Sequence, residues 1–529
     1  MNRSGSTPTA ARLNQNGTFL GFDIETAAPW LLAALIIYAA LRSLVAAATS
    51  PFWYDEVITV AVSRQPSASA IWNVLRLGAD GNPPGFYVIE RASAALISNA
   101  HIAYRLPSIV GLCCTMLCVY AYVRRRAGNA RALLCAFIPL TTVLYFTYPV
   151  EARPYSLLVA CVAVALVCYE RAPAPQWMLL MGLTLALAET FHYFAIFAIV
   201  PFGAAELTLL LATKRLRIGV WLALSCSVIP LVAFWPIVRA FKNYYGLNYW
   251  SHPTLYGAAT TYGWFFEVPG PIGLALATVL LSGVLGGVVL RAPMRREIGG
   301  GEAESAQERV LILGLLSLPI VMYVAEKLTH GGMINRYAVS AVLAYPVGVG
   351  LILPKMPRKS VILLAVFMLV VVTARDAAFW TAHRDHLVGV TSPAEDMEKL
   401  VNSSSYRELP VVITMDYALL DYYASPEIEK RLLALVDLPK SFEYEGSDTI
   451  DRLDLALRSV MPLHVYEFHQ FTSTHPSFLL YSAGNFVSAG TSTFYDWLTP
   501  ELVREGYTVQ VVAADQNRRV YLVMNGKLQ

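Results

Sequence analysis

The sequence predicts a polytopic α-helical membrane protein of about eleven transmembrane helices, followed by a small C-terminal α/β domain outside the membrane. Three observations carry this expectation. Of 529 residues, 56% are hydrophobic and only 15% are charged, against about 25% charged in soluble domains, and the mean hydropathy is +0.50. Apolar runs long enough to cross hydrocarbon as a helix, about 17–25 residues, recur up to residue 375. The charge is also divided, with 28 Lys+Arg and 16 Asp+Glu up to residue 375 and 12 and 21 in the last 154 residues. A basic, apolar body therefore precedes an acidic, soluble one. The net charge of +3 joins +12 to −9, which does not describe a nucleic-acid binder, and the wealth of apolar residues excludes a disordered chain.

Residues 1–28 are polar and read as a cytoplasmic tail. The first span, Leu31–Ala48, ends in Ala46-Ala47-Ala48, which could pass for a signal-peptidase site, but the long polar lead argues for an uncleaved anchor. Further apolar runs lie near 106–123, 132–148, 155–169, 176–190, 192–212, 218–236, 271–290, 310–325, 338–353 and 360–374. Residues 29–375 then form the transmembrane domain, with a large first outer loop at 49–105.

Short-loop Lys and Arg set the orientation. Arg124-Arg125-Arg126 with Arg131, Lys214-Arg215-Arg217, Arg291 with Arg295-Arg296, and Lys355 with Arg358-Lys359 fall in alternate loops, on the side of the N-terminus. The N-terminus is thus expected in the cytoplasm and residues 376–529 in the periplasm, the chain being a multi-pass protein of the plasma membrane. Arg239, Lys242 and Lys327 lie outside against the rule, as an outward-facing anionic ligand would explain.

The seven cysteines (Cys113, Cys114, Cys118, Cys135, Cys161, Cys168, Cys226) lie in or beside spans and read as packing residues. In the tail, Pro410–Thr414, Arg431–Val436, Leu463–Phe468, Phe478–Tyr481, Tyr507–Ala513 and Val520–Met524 read as strands, Trp497–Glu505 as a helix, and Glu443–Asp451 as a loop.

Ionisable residues at a membrane domain's depth are costly and read as functional by default. Here they gather on the outer side. The first outer loop holds Trp53-Tyr54-Asp55-Glu56, Arg64 and Asn82-Pro83-Pro84-Gly85-Phe86-Tyr87, and closes with Tyr104-Arg105-Leu106-Pro107-Ser108. The next holds Glu151-Ala152-Arg153-Pro154-Tyr155; Glu189 and His192 mark the third, and His330 with Asn335-Arg336-Tyr337 the fifth. Such a mouth suits transfer of a group from a lipid phosphate: a carboxylate takes the proton from an attacking hydroxyl, and arginines match the departing phosphate with bidentate hydrogen bonds.

Taken in order, the acidic pair, Asn-Pro-Pro-Gly-Phe-Tyr, Tyr-Arg-Leu-Pro-Ser, Glu-Ala-Arg-Pro-Tyr and the late Arg-Tyr resemble the GT-C glycosyltransferases. More narrowly they are similar to the bacterial branch related to protein O-mannosyltransferases and lipid A aminoarabinose transferases, over roughly residues 50–350. The resemblance implies an inverting membrane transferase that uses a polyprenyl-phosphate-linked sugar on the outer face of the plasma membrane. Its acceptor would be a glycan, a lipid or a protein. Asp55 matches the family's first-loop aspartate and is expected to be the general base. Glu56 matches its acidic neighbour, expected to orient the acceptor or help bind a cation. Arg105, Arg153, Arg336 and Tyr337 match residues expected at the donor phosphate, with Glu151, Tyr87, His192 and Arg64 in support. No cofactor is certain, and a divalent cation is the candidate. Relatives commonly have His before the two prolines, where this chain has Asn82, which argues against a metal there.

Structural readings compete with each of these. Asp55-Glu56 also suits the first turn of a loop helix, Arg105 a snorkelling anchor, Glu151 with Arg153 a surface ion pair, and His192 a bond to Glu189 across helices. His383 and His386, beside Asp385, have metal-ligand spacing but no further ligand, and read as linker. The Asn82-Pro83-Pro84 turn is expected to shape its loop without contacting substrate. Trp250, Tyr244, Tyr245 and Tyr249 read as an interfacial aromatic belt or a sugar-stacking surface. A flippase for a lipid-linked sugar would need the same charged mouth; transporters often carry hydropathy repeats, and no internal repeat is found.

Overall fold

A computed structural model describes residues 18–19, 22–172, 174–267, 270–290, 302–353, 356–383, 390–483, 496–515 and 518–526. Arg291, Arg295, Arg296, Lys355, Asp385 and His386 lie outside these, and with them part of the basic-loop pattern and the His383/His386 pair.

Two short antiparallel strands, β1 (Thr18–Phe19) and β2 (Phe22–Asp23), precede α1 (Ile24–Thr49). Three short helices follow: α2 (Tyr54–Ser63), α3 (Ala68–Arg76) and α4 (Pro84–Leu96). The bundle continues with α5 (Ala100–Ala127), α6 (Asn129–Phe137), α7 (Val143–Phe146), α8 (Tyr155–Glu170), α9 (Pro175–Phe191) and α10 (Ile199–Thr213). After α11 (Ile218–Cys226) and α12 (Ile229–Ala233) come α13 (Trp235–Tyr245), α14 (Leu255–Trp264) and α15 (Gly270–Leu290). The last members are α16 (Glu302–Leu316), α17 (Leu318–Thr329), α18 (Ala344–Ile352) and α19 (Arg358–His383).

Every predicted apolar run falls on helix, yet fewer uninterrupted spans result. Among the described residues, four helices are long and apolar enough to cross a membrane alone, and seven crossings result if three bent pairs count as one each. The bends, 69° at Thr142, 51° before α13 and 59° before α17, have local causes. Pro236 and Pro319 are second residues of their helices and lack the N–H that would continue the hydrogen-bond ladder. Thr142 is extended and its hydroxyl accepts from the Leu144 N–H, starting a new helix. Two runs counted as spans, α8 and α9, are only 16 and 17 residues long. Apolarity marks where helix lies and does not register where a proline or a capping threonine breaks it.

Small residues set the closest helix approaches. A Cβ on Gly111 of α5 would lie 2.6 Å from the Ser156 backbone of α8. In the Asn-Pro-Pro-Gly turn, Pro84 is the first residue of α4, where its missing N–H costs nothing, and a Cβ on Gly85 would lie 2.6 Å from Thr190 of α9.

The C-terminal domain is α/β, as its sequence predicts. Its six-stranded sheet has the order β5-β4-β3-β6-β8-β7, where β3 is Val411–Ile413, β4 Leu432–Val436, β5 Val465–Glu467, β6 Ser477–Ala483, β7 Tyr507–Ala514 and β8 Arg518–Asn525. β3 to β6 are parallel, and β8 and β7 join antiparallel. The six predicted strands coincide with these, and the predicted helix with Leu498–Arg504. Glu443–Asp451 is not a loop throughout. Helices at Leu438–Glu445 and Thr449–Leu457 enter it from both sides, the first capped by Asp437, whose carboxylate accepts from the Lys440 N–H. From β3 the chain goes to β4 and β5 on one side, while β6 lies on the other, so the switch point of the sheet lies between β3 and β6.

Candidate active site

A single buried carboxylate organises the candidate site. Glu56 lies in the first turn of α2, and its Oε2 accepts from the Trp53 N–H at 3.0 Å, the reciprocal half of a capping box. Its Oε1 accepts from the Ala152 N–H at 2.6 Å, tying the Glu-Ala-Arg segment to the first loop. Arg105 completes the knot. Its Nε and Nη2 donate to the two Glu56 oxygens at 2.7 Å each, and the remaining N–H groups reach the Ala47 and Ser50 carbonyls at 2.8 Å and the Pro51 carbonyl at 2.7 Å. These carbonyls include orphans of the α1 C-terminus, which a cation satisfies well. Both side chains are 1% exposed. All five N–H groups of Arg105 and both oxygens of Glu56 are engaged, so neither residue has a group left for a donor phosphate, an acceptor or a cation.

The knot places Asp55, the preceding residue, on the wall of a cavity of about 320 Å³ between the bundle and the α/β domain. Arg153, Tyr155, His192, Arg336 and Tyr337 line it too, with Asp80 and Asn82 from the loop before α4. Asp55 Oδ2 lies 3.0 Å from Arg336 Nη2 and 3.7 Å from Arg153 Nη2. Arg153 Nη1 also bonds Asp80 Oδ2 at 2.9 Å, Thr59 Oγ1 at 3.1 Å and the Asp55 carbonyl at 3.3 Å. Two carboxylates and two guanidiniums thus alternate: Asp80, Arg153, Asp55, Arg336. The Nε of Arg336 has no partner among the described residues, and this side chain is 24% exposed against 6% for Arg153. Arg336 is the member of the set best able to meet a ligand.

His192 ends α9 and accepts the Phe194 N–H at its Nδ1, with its ring against Tyr155 and Tyr337. No hydrogen bond joins it to Glu189 among the described residues. Glu151 opens the Glu-Ala-Arg-Pro-Tyr motif of the second outer loop; burial first, then the charge of Glu56, push its carboxyl up to about 8.

Of the sequence-predicted residues, the structure brings Asp55, Arg153, His192, Arg336 and Tyr337 to one cavity, and it does not bring Glu56, Arg105, Glu151, Tyr87 or Arg64 there. Tyr87 is buried against Asp80 and Asn82, and Arg64 faces Tyr422 of the α/β domain. Asn82, expected to stay clear of substrate, lines the cavity. Asp80 and Asp416 were not anticipated; Asp80 adjoins the Asn-Pro-Pro turn, a usable signal, whereas Asp416 had none. Among the described residues, no group of three or more His, Cys, Asp or Glu side chains could hold a metal ion.

An apolar helical bundle with a helical first loop and an α/β domain over a charged cavity defines a multi-pass membrane protein with a fold of the GT-C type. Residues 81–239 match the family described as dolichyl-phosphate-mannose-protein mannosyltransferase. The crystal structure of ArnT from Cupriavidus metallidurans in the apo state superposes with a TM-score of 0.58 at 12% identity, covering 94% of this chain and 98% of that one. The same protein bound to undecaprenyl phosphate gives a TM-score of 0.53 at 14% identity, with the same coverage of each chain. Among curated proteins none matches the chain.

Proposed function

We propose that the protein transfers a sugar from a polyprenyl-phosphate-linked donor to an acceptor hydroxyl on the outer face of the plasma membrane, with inversion and with Asp55 as base. The observation that carries this reading is the 3.0 Å pairing of Asp55 with Arg336 on a cavity wall, because it sets a proton acceptor beside an anion-binding cation. ArnT, whose fold is similar, has been crystallised with undecaprenyl phosphate, which supports a lipid phosphate as the leaving group.

In the proposed step the acceptor O–H gives its proton to Asp55 and its oxygen attacks the anomeric carbon. The bond from that carbon to the phosphate oxygen breaks, and the polyprenyl phosphate leaves with the electron pair. Arg336, helped by Arg153, stabilises the charge that develops there. Glu56 and Arg105 are positioning residues that fix the turn carrying Asp55. Tyr337 and His192 form the wall beside Arg336, and no step is routed through a metal ion.

The test is transfer of radiolabelled sugar from polyprenyl-phosphate donors to a membrane extract. Asp55→Asn should lower transfer by about 10²–10⁴-fold, the usual weight of a general base, while donor binding persists. An active Asp55→Asn protein would sink the assignment. Movement of intact donor across vesicles, with no sugar released, would instead indicate a flippase.

A further inference from the structure

The outward side of the cavity is built differently from the charged side. Phe241 and Tyr245 from α13, with Tyr249 and Trp250 from the loop beyond it, form an aromatic wall. Phe241 and Tyr245 pack with centroids 4.5 Å apart, and Tyr249 lies edge-on to both. An interfacial belt would face lipid; this cluster faces a cavity.

The wall is held by the α/β domain. The Asn248 carbonyl accepts from the hydroxyls of Ser447 and Thr449, the Trp250 N–H donates to Thr449 Oγ1 at 3.0 Å, and Arg452 Nη1 and the Tyr244 hydroxyl each bond the other residue's carbonyl. The aromatic loop is therefore rigid and depends on the domain for its shape.

Asp416 lines the same cavity. It follows β3 at the switch point of the sheet, where open α/β sheets place their ligands. Its φ is +59°, a left-handed conformation that costs energy in a non-glycine residue. It stands at the N-cap of Tyr417–Tyr423, yet its side chain caps nothing, and its carboxylate makes no hydrogen bond or ion pair among the described residues. Outliers held without local benefit point to function.

We propose that the α/β domain builds the acceptor subsite and that the acceptor is a saccharide, stacked on the wall of Phe241, Tyr245, Tyr249 and Trp250 with its hydroxyls bonded to Asp416. This rests on the glycosyltransferase reading and names its acceptor class. A pyranose has apolar C–H faces that pack on aromatic rings and an edge of hydroxyls that donate to a carboxylate. Asp55 serves the attacking hydroxyl and Asp80 is paired with Arg153, so Asp416 is the lining carboxylate left to accept from the acceptor's other hydroxyls. A donor whose tail stays in the bilayer must enter from the bundle side, which leaves the domain side to the acceptor.

The experiment uses the full chain in lipid nanodiscs, radiolabelled polyprenyl-phosphate sugars and a membrane extract as acceptor. The labelled product should resist protease and mild alkali and should yield a labelled oligosaccharide. Label on peptides, or on an alkali-labile glycerolipid, overturns the saccharide assignment while leaving the transferase reading intact. If the wild type consumes no donor, that reading fails and this inference with it. Asp416→Asn and Asp416→Gly, both compatible with positive φ, should each raise the KM for extract about tenfold or more, with the donor KM unmoved. Asp416→Gly should melt no lower than wild type, which excludes unfolding as the cause. An unchanged acceptor KM in both variants refutes the role of Asp416.

Discussion

Arg105→Ala separates a residue that binds substrate from one that holds the fold. In wild type the guanidinium spends five N–H groups on a buried carboxylate and three carbonyls, all at 2.7–2.8 Å. Truncation leaves Glu56 with only the Trp53 and Ala152 N–H donors and leaves the three carbonyls unmet. Removing one partner of a buried ion pair costs about 3–5 kcal/mol. Replacing both partners is milder, so Arg105→Met with Glu56→Leu should recover part of that loss. A loss of this size lowers the unfolding midpoint by about 2–4 °C per kcal/mol in chains of 150–250 residues, and by less in a chain of 529. A fall of several degrees in detergent is therefore expected, read by tryptophan fluorescence alongside donor binding at low temperature. A variant that melts with wild type but binds donor many-fold more weakly would refute the positioning role and restore Arg105 to the phosphate.

Arg336→Lys keeps the charge but loses the planar fork and its unpartnered Nε, and should raise the donor KM by roughly tenfold, the weight of one charge-assisted hydrogen bond; steady-state kinetics against donor check it. Glu151 binds its proton more tightly folded than unfolded, with a pKa raised from 4.5 to about 8, so wild-type stability should fall as pH rises through that interval. Glu151→Gln should remove that slope, and identical pH profiles of the two proteins would count against it. Gly85→Ala drives a Cβ into the Thr190 side chain at 2.6 Å and its carbonyl at 2.8 Å, and should cost about 1–3 kcal/mol through overpacking. Gly85→Ala melting at the wild-type temperature would mean that α4 and α9 move apart easily.

The α/β domain was legible because its strands are short runs of Val, Leu and Ile between turn residues, and local pattern suffices for that. Helix breaks at Thr142, Pro236 and Pro319 were less legible, since a window of hydropathy averages over them. At the site, sequence order could place Asp55, Arg153 and Arg336 on one side of the bundle but could not rank their neighbours. Glu56 is adjacent to Asp55 in the chain, yet successive residues of a helix point about 100° apart, so one faces the cavity and the other the protein interior. Arg105 could be read as phosphate-binding or structural until its five partners were visible. Asp416 and the aromatic loop belong to segments about 170 residues apart, and only tertiary structure joins them.

The Glu56–Arg105 knot also bears on how the protein meets lipid. It ties the end of α1, the start of α2, the first turns of α5 and the Ala152 segment at one height. Asp55 is thereby referenced to a fixed collar rather than to the tilt of any one helix. When bilayer thickness changes, helices tilt to match it, and this collar leaves the movement to the opposite ends of α1 and α5. The height of Asp55 relative to α1, α5 and the Ala152 segment is in effect buffered against membrane composition, even where the bundle around it leans.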